Sequence, residues 1–191
     1  MSESYLSRIA SCQQAFRSSS GKVDTTRGQL RHNEVSVIWP AEPSDVDIIL
    51  EDGLRQQDLD ELAALGREPE EALRGAFESC GVLVFTVHVN DRPVAMFGAA
   101  PYLADEEADI GVVWMLGTDG LLGARRLLLV EAPKWINLLM KVYPILTNYV
   151  DERNSVSIRW LERMGFEFPY TDDFVTDQGI TFRRFVLCAT Q

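Results

Sequence analysis

Two histidines and three cysteines are all that this chain offers to soft-metal or thiol chemistry. Cys12, Cys80 and Cys188 form no C-x-x-C pair, and their odd number closes no disulfide framework, so neither a disulfide scaffold nor a structural zinc site is expected. Two imidazoles and scattered thiols cannot assemble a metal cluster or a Ser-His-Asp order. Reduced thiols in a cytoplasmic protein are the expectation. Positive charge is also scarce: 18 Lys and Arg stand against 29 Asp and Glu, a net charge of −11. That balance repels a phosphate backbone and makes a direct nucleic-acid partner unexpected, while suiting basic proteins or cationic small molecules. No apolar run reaches membrane-spanning length and the first residues carry no continuous apolar stretch, so neither a membrane partner nor a leader is expected. Internal repeats and low-complexity tracts are lacking too. What is present is a chain of 191 residues, 46% hydrophobic and 25% charged, enough for one soluble domain with a real core.

The chain divides near residue 34. Within residues 1–34, Tyr5, Ile9, Cys12 and Phe16 recur at helical spacing, and Ser18-Ser19-Ser20-Gly21 reads as a flexible break. A short tethered helix rarely stands alone, so its stripe must dock on its own domain or on a partner. Residues 35–191 form the domain. Val35-Ser36-Val37-Ile38-Trp39 reads as a strand stopped by Pro40 and Pro43, and Ser44 or Asp45 is placed to cap a helix running to residue 50. A helix over 58–65 stops at Gly66. Another starts at Pro69 with Ala72, Leu73, Ala76, Phe77 and Cys80 on one buried face. Strands at 82–89 and 94–99 flank the turn Asn90-Asp91-Arg92-Pro93. An acidic loop with Asp105, Glu106 and Glu107 precedes a strand at 110–116. A long helix follows over 121–142, interrupted or kinked at Pro133. Strands over 145–150 and 182–187 enclose a short helix and complete the pattern.

The stretch Asn154-Ser155-Val156-Ser157-Ile158-Arg159-Trp160-Leu161-Glu162-Arg163-Met164-Gly165-Phe166 reads as strand end, short helix, glycine stop and new strand. It resembles the late signature of the GNAT acyltransferases. The resemblance implies an α/β (α+β) fold with a mixed, mainly antiparallel sheet of about six or seven strands flanked by helices. In that family a glycine-rich turn opening the long helix binds the acyl-CoA pyrophosphate through backbone N–H groups. Its pattern is Gln or Arg, two residues, Gly, one residue, then Gly or Ala. The matching place here reads Gly120-Leu121-Leu122-Gly123-Ala124-Arg125. Gly123 fits; Gly120 replaces the Gln or Arg, Arg125 replaces the last small residue, and a frame moved by one puts Ala124 on the required Gly. Gly120, Gly123, Ala124, Arg125 and Asn154 are therefore the candidate acetyl-CoA contacts, with Arg125 and Arg126 read either as phosphate ligands or as a solvated face.

Acyl transfer also needs a base for the amine proton and benefits from an acid for the departing thiolate. The family commonly places a Tyr four residues before the helix-ending Gly; Leu161 stands there and is expected to pack beside Met164 and Phe166. Tyr149 is the substitute acid and Asp109 the candidate base, with a solvated carboxylate as the plainer reading of the latter. His88 lies mid-strand and is expected to be satisfied or exposed. A second resemblance is spread over residues 45–187. Arg55-Gln56-Gln57-Asp58, Pro69-Glu70-Glu71-Ala72-Leu73-Arg74, Pro93-Val94-Ala95-Met96-Phe97-Gly98, Trp114-Met115-Leu116-Gly117-Thr118 and Ser157-Ile158-Arg159-Trp160-Leu161 are together similar to GNAT-like virion proteins of short-tailed bacteriophages. That resemblance implies a virion or assembly role in the particle and the host cytoplasm, other virion proteins as partners, a possible homo-oligomer and no cofactor. An active acetyl-CoA-dependent N-acetyltransferase of cationic amines is the alternative. An open cleft between the fourth and fifth strands with N–H groups converging near Gly123 would favour the enzyme, and a closed one the assembly role.

Overall fold

The computed structural model describes residues 34–38, 40–78, 82–102 and 109–189. The proposed N-terminal stripe (Tyr5, Ile9, Cys12, Phe16), Cys80 and the acidic run at Asp105, Glu106 and Glu107 lie outside the described residues. Among the described residues seven strands are joined in the order β1-β2-β3-β4-β5-β7-β6: β1 Val35–Ile38, β2 Leu83–Val89, β3 Arg92–Pro101, β4 Ile110–Gly117, β5 Ile145–Asp151, β6 Phe174–Val175 and β7 Thr181–Cys188. Every pairing among them is antiparallel except β4 with β5. Among the same residues five α-helices flank the sheet: α1 Pro43–Asp52, α2 Gln56–Ala64, α3 Pro69–Arg74, α4 Arg125–Leu139 and α5 Ser155–Arg163. The expected mixed α/β architecture is the one observed.

Local chemistry sets these elements. Asn90 (φ 53°) and Asp91 (φ 61°) turn β2 into β3 in the left-handed conformation that short polar side chains tolerate. Gly98 is required by a close crossing: a Cβ there would sit 2.1 Å from the Leu83 carbonyl oxygen on β2. The cap of α1 is Glu42 and not Ser44 or Asp45; Asp45 sits at the third helical position, where its Oδ2 accepts the Glu42 N–H at 3.3 Å. The expected helix from Pro69 to Cys80 is cut short, because Gly75 opens a 3-10 turn, Gly75–Phe77. Of the described residues of its predicted face Leu73 is fully buried, with Ala72, Ala76 and Phe77 half-buried. The long helix begins at Arg125 rather than residue 121 and runs through Pro133. Proline leaves the Leu129 carbonyl without its helical donor, tolerable on a residue 41% exposed to water.

Core clusters cover both sheet faces. Leu83, Phe85, Leu139, Tyr143, Leu146 and Phe185 pack under α4 and α5. Val35, Val87, Val94, Leu121 and Leu127 form a second cluster at the start of α4. Val46, Ile49, Leu62, Leu73 and Met96 fill the face under α1, α2 and α3. His88 departs from expectation: it is buried, its Nδ1 has no partner among the described residues, and its Nε2 lies 3.8 Å from Asp45 Oδ1. The fully buried Val87 beside it shows that both faces of this strand are covered.

Candidate functional site

The parallel pairing of β4 with β5 lasts for only three residue pairs, Ile110 with Ile145, Gly111 with Leu146 and Val112 with Thr147. Beyond them the strands diverge. A side chain bridges the start of the gap: Asn148 Nδ2 donates to the Val113 carbonyl at 2.7 Å. Past it opens a cavity of about 590 Å³ that reaches both faces of the sheet. Its walls are largely apolar, with Phe97, Trp114, Trp135, Tyr149, Trp160 and Phe174 among them, and its polar end is Arg55, Asp58, Glu61, Asn154 and Ser157. A cavity of this size suits a small organic ligand.

At the polar end the carboxylates differ in how they are answered. Asp58 is buried, takes Arg55 Nε at 3.0 Å and Nη2 at 2.8 Å, and accepts the Gly117 N–H at 2.9 Å. Burial pushes its pKa up, against the pull of Arg55 and the Gly117 amide. Its role is to clamp α2 to the end of β4, together with Arg55 N–H donating to the Gly117 carbonyl at 2.8 Å. Asp151, also buried, accepts Arg153 Nε at 2.9 Å, and that hydrogen bond holds its carboxyl below the usual range. Glu61 is different. Asn154 Nδ2 donates to its Oε1 at 2.8 Å, but among the described residues no cation lies within ion-pairing distance. Desolvation raises its pKa, and the charges of Asp58 and Asp151 add to the rise.

Asn154 lines the cavity. Its Oδ1 caps α5 by accepting the Ser157 N–H at 3.1 Å, while its amide donates to Glu61 on α2. Gly165 (φ 92°) then ends the helix: its N–H donates to the Glu162 carbonyl and that of Phe166 to the Leu161 carbonyl, both at 3.0 Å. Leu161 is buried in the core cluster with Phe166 and against Met164, as expected, and also lines the cavity. Tyr149 stands in the cavity wall, 38% exposed and edge-on to Phe174 with ring centroids 4.9 Å apart. Asp109 is not brought to the site. It precedes the first residue of β4, at the end where the strands are still paired, and does not line the cavity.

The turn before α4 is also outside the cavity. Gly120, Gly123, Ala124 and Arg125 line none of it, and residues Asp119–Ala124 are wound into a 3-10 helix. Thr118 caps it, accepting the Gly120 N–H on Oγ1 at 3.1 Å and the Leu121 N–H on its carbonyl at 3.1 Å. The Arg125 N–H donates to the Leu122 carbonyl, and Ala124 is fully buried. A Cβ on Gly120 would meet Val94 Cγ1 at 2.7 Å, so this glycine is there for packing and leaves no cradle for a phosphate. An anion at a helix start needs N–H groups that the turn does not spend on itself. The residues here do not fit a pyrophosphate held in the manner of the family pattern. Among the described residues no three His, Cys, Asp or Glu side chains gather as a metal site. Asp58 and Glu61 were missed by sequence reasoning; the only signal was two acidic residues one turn apart in an amphipathic helix, which usually marks a solvated face.

Seven mixed strands with a parallel β4–β5 pair that splays over an apolar cavity find many counterparts among solved structures. The fold is that of the GNAT acetyltransferases. An acetyltransferase of the GNAT family from Streptococcus pneumoniae matches with a TM-score of 0.56 at 17% identity, over 82% of this chain and 100% of its own. Aminoglycoside acetyltransferase AAC(6')-Ib in complex with coenzyme A matches with 0.58 at 15%, over 81% and 94%. A putative acetyltransferase from Salmonella typhimurium, yncA, with its cofactor acetyl-CoA, gives 0.58 at 12%, over 82% and 95%. At such identities the likeness is one of GNAT fold alone. No protein-family model matches the chain. None of the curated proteins matches it either.

Proposed function

We propose that this protein is a structural or assembly component of a tailed-bacteriophage virion, built on a GNAT scaffold that no longer holds acyl-CoA by its pyrophosphate. The observation that carries the reading is the wound turn over Asp119–Ala124, whose first amides are spent on Thr118. The virion assignment itself rests on the sequence resemblance over residues 45–187. Other virion proteins are the partners in this reading, reached through Tyr5, Ile9, Cys12 and Phe16, with a possible homo-oligomer, no direct contact to nucleic acid or membrane, and residence in the particle and the host cytoplasm. Calorimetric titration with acetyl-CoA tests it. Binding is expected to be weak or undetectable, and a dissociation constant near about 1 μM, about −8 kcal/mol, overturns the reading.

The open cavity favours a second reading, an acetyl-CoA-dependent N-acetyltransferase of a cationic amine. Glu61 then takes the place assigned from sequence to Asp109, because its raised pKa and its position in the wall suit a base. Tyr149 remains the candidate acid. Acetylation of a primary amine that Glu61→Gln abolishes would decide for this reading.

A further inference from the structure

α4 differs from the other helices in what it shows to water. Its inner side is buried through Leu127, Leu128, Ala132 and Leu138. Its outer side and the turn before it carry Leu122 and Val130, each 68% exposed, with Leu129 and Pro133 exposed beside them. The spacing 122, 126, 129–130 and 133 puts these four on one face, with the aliphatic stem of Arg126 among them. No other helix among the described residues exposes more than one large apolar side chain. Single exposed apolar groups are ordinary, but a row of them marks a contact surface. Pro133 adds an acceptor to the row, since the Leu129 carbonyl has lost its helical donor.

The chain itself leads to this surface. Glu34, the first described residue, accepts the Asn90 N–H of the β2–β3 turn on its carbonyl at 2.7 Å. Val35 shares a core cluster with Leu121 and Leu127, so β1 starts at the end of the sheet where α4 starts. The 33 residues before Glu34 hold Tyr5, Ile9, Cys12 and Phe16 and are basic, with five Lys and Arg against two Asp and Glu. The rest of the chain is acidic, thirteen against 27, and the exposed Asp91 and Asp119 stand at this same end. Opposite net charges favour the lead-in folding back over its standing free. The 17 residues between Phe16 and Glu34 reach about 55 Å when extended, well beyond the roughly 22 Å length of α4.

We propose that residues 3–17 dock on their own domain, with the stripe of Tyr5, Ile9, Cys12 and Phe16 covering Leu122, Leu129, Val130 and Pro133. The contact belongs to the free protein; a partner that takes the stripe in a particle must first displace it. The outcome of the acetyl-CoA titration has no bearing on it, so the two can fail separately.

Cys12 supplies the probe. In a full-length chain carrying Cys80→Ser and Cys188→Ser it is the remaining thiol. A second thiol is added at either end of the row, by Leu122→Cys or Val130→Cys, or for comparison by Val175→Cys, 64% exposed on the opposite edge of the sheet. Under mild oxidation in dilute solution the faster of the two row positions is expected to close an intramolecular disulfide at least about tenfold faster than Val175→Cys, because docking raises the local thiol concentration above that of a free tether. Adding Phe16→Asp should bring that rate down at least about tenfold, since the stripe then loses its hold. Circular dichroism confirms that each variant is folded. Equal rates on the row and at Val175→Cys overturn the proposal. So does a rate that Phe16→Asp leaves unchanged, or a disulfide that joins two chains, which would give the row to a second copy.

Discussion

Two strand-to-helix junctions of this fold differ in one atom's worth of chemistry, and the difference decides which is a site. At the end of β4, Thr118 caps the following turn; after β5, Asn154 caps α5. Each side-chain oxygen accepts one amide, at 3.1 Å in both cases. The threonine side chain is short and buried and reaches no other helix, and the turn it starts packs its glycine against Val94 and buries Ala124. The asparagine has a second arm. Its NH₂ reaches α2 and holds a carboxylate that, among the described residues, makes no ion pair, at the edge of an open cavity. A capping residue whose second donor sits on a longer arm can thus build a site where a short one closes only its own turn.

The comparison can be broken from its strongest side first. Leu161→Ala removes a buried side chain from the helix that Asn154 caps and from the cavity wall. Thermal or denaturant unfolding should show a loss of about 2–5 kcal/mol; a loss below measurement error would mean that α5 is not seated as described. Gly120→Ala tests the closed junction. The added Cβ must displace the buried Val94, and a loss of about 1–3 kcal/mol is expected, whereas a neutral result would show a loose turn able to reshape around an anion. Replacing the asparagine dissects its two arms. Asn154→Ala should cost about 1 kcal/mol for the cap alone. Asn154→Ser keeps the cap and should recover most of that, while raising the Glu61 pKa further, readable by carboxyl NMR titration; equal losses in the two variants would deny the cap any role, and an unshifted Glu61 titration would deny the second arm one.

The smallest effect concerns charge. The folded-state pKa of Glu61 is raised, so its contribution to stability is present below the unfolded value and is lost as pH rises through the folded one. Glu61→Gln should therefore stabilise the protein slightly at neutral pH, read by denaturant unfolding. The gain should disappear below pH of about 4, and a destabilisation at neutral pH would contradict the assignment. Asp151 behaves in the opposite sense: its lowered pKa supplies stability above the unfolded value that fades as pH falls through the folded one.

Much of the fold could be read from local sequence, because local signals are strong where the chain must turn or cap. Asn90-Asp91 between two apolar runs, Asn154 before α5 and Gly165 after it all sit where their backbone or capping preferences require. The two-residue strand β6 was not read, since Phe174 and Val175 alone carry no alternation and owe their conformation to pairing with Phe182 and Thr181. The site was legible only on its β5 side. Tyr149 and Asn154 lie close to a recognisable junction, but Glu61 is 93 residues from Asn154. Nothing in Gln56-Gln57-Asp58-Leu59-Asp60-Glu61 distinguishes Asp58 and Glu61, which the fold draws out of water, from Asp60, which it leaves there. Asp109 failed for a related reason: it lies at the right strand but at the closed end of the gap, and residue order says nothing of where two strands part.

The brief pairing of β4 with β5 also has a mechanical meaning. Seven strands behave as two panels, β1 to β4 and β5 to β7, stitched at one edge by three residue pairs and one asparagine amide. Under load the backbone pairing along that seam is expected to part early, leaving the core shared by Leu83, Phe85, Leu146 and Phe185 to hold the panels together. In deuterated solvent the backbone N–H groups that β4 turns toward the gap beyond Val112 would exchange well ahead of those it shares with β3.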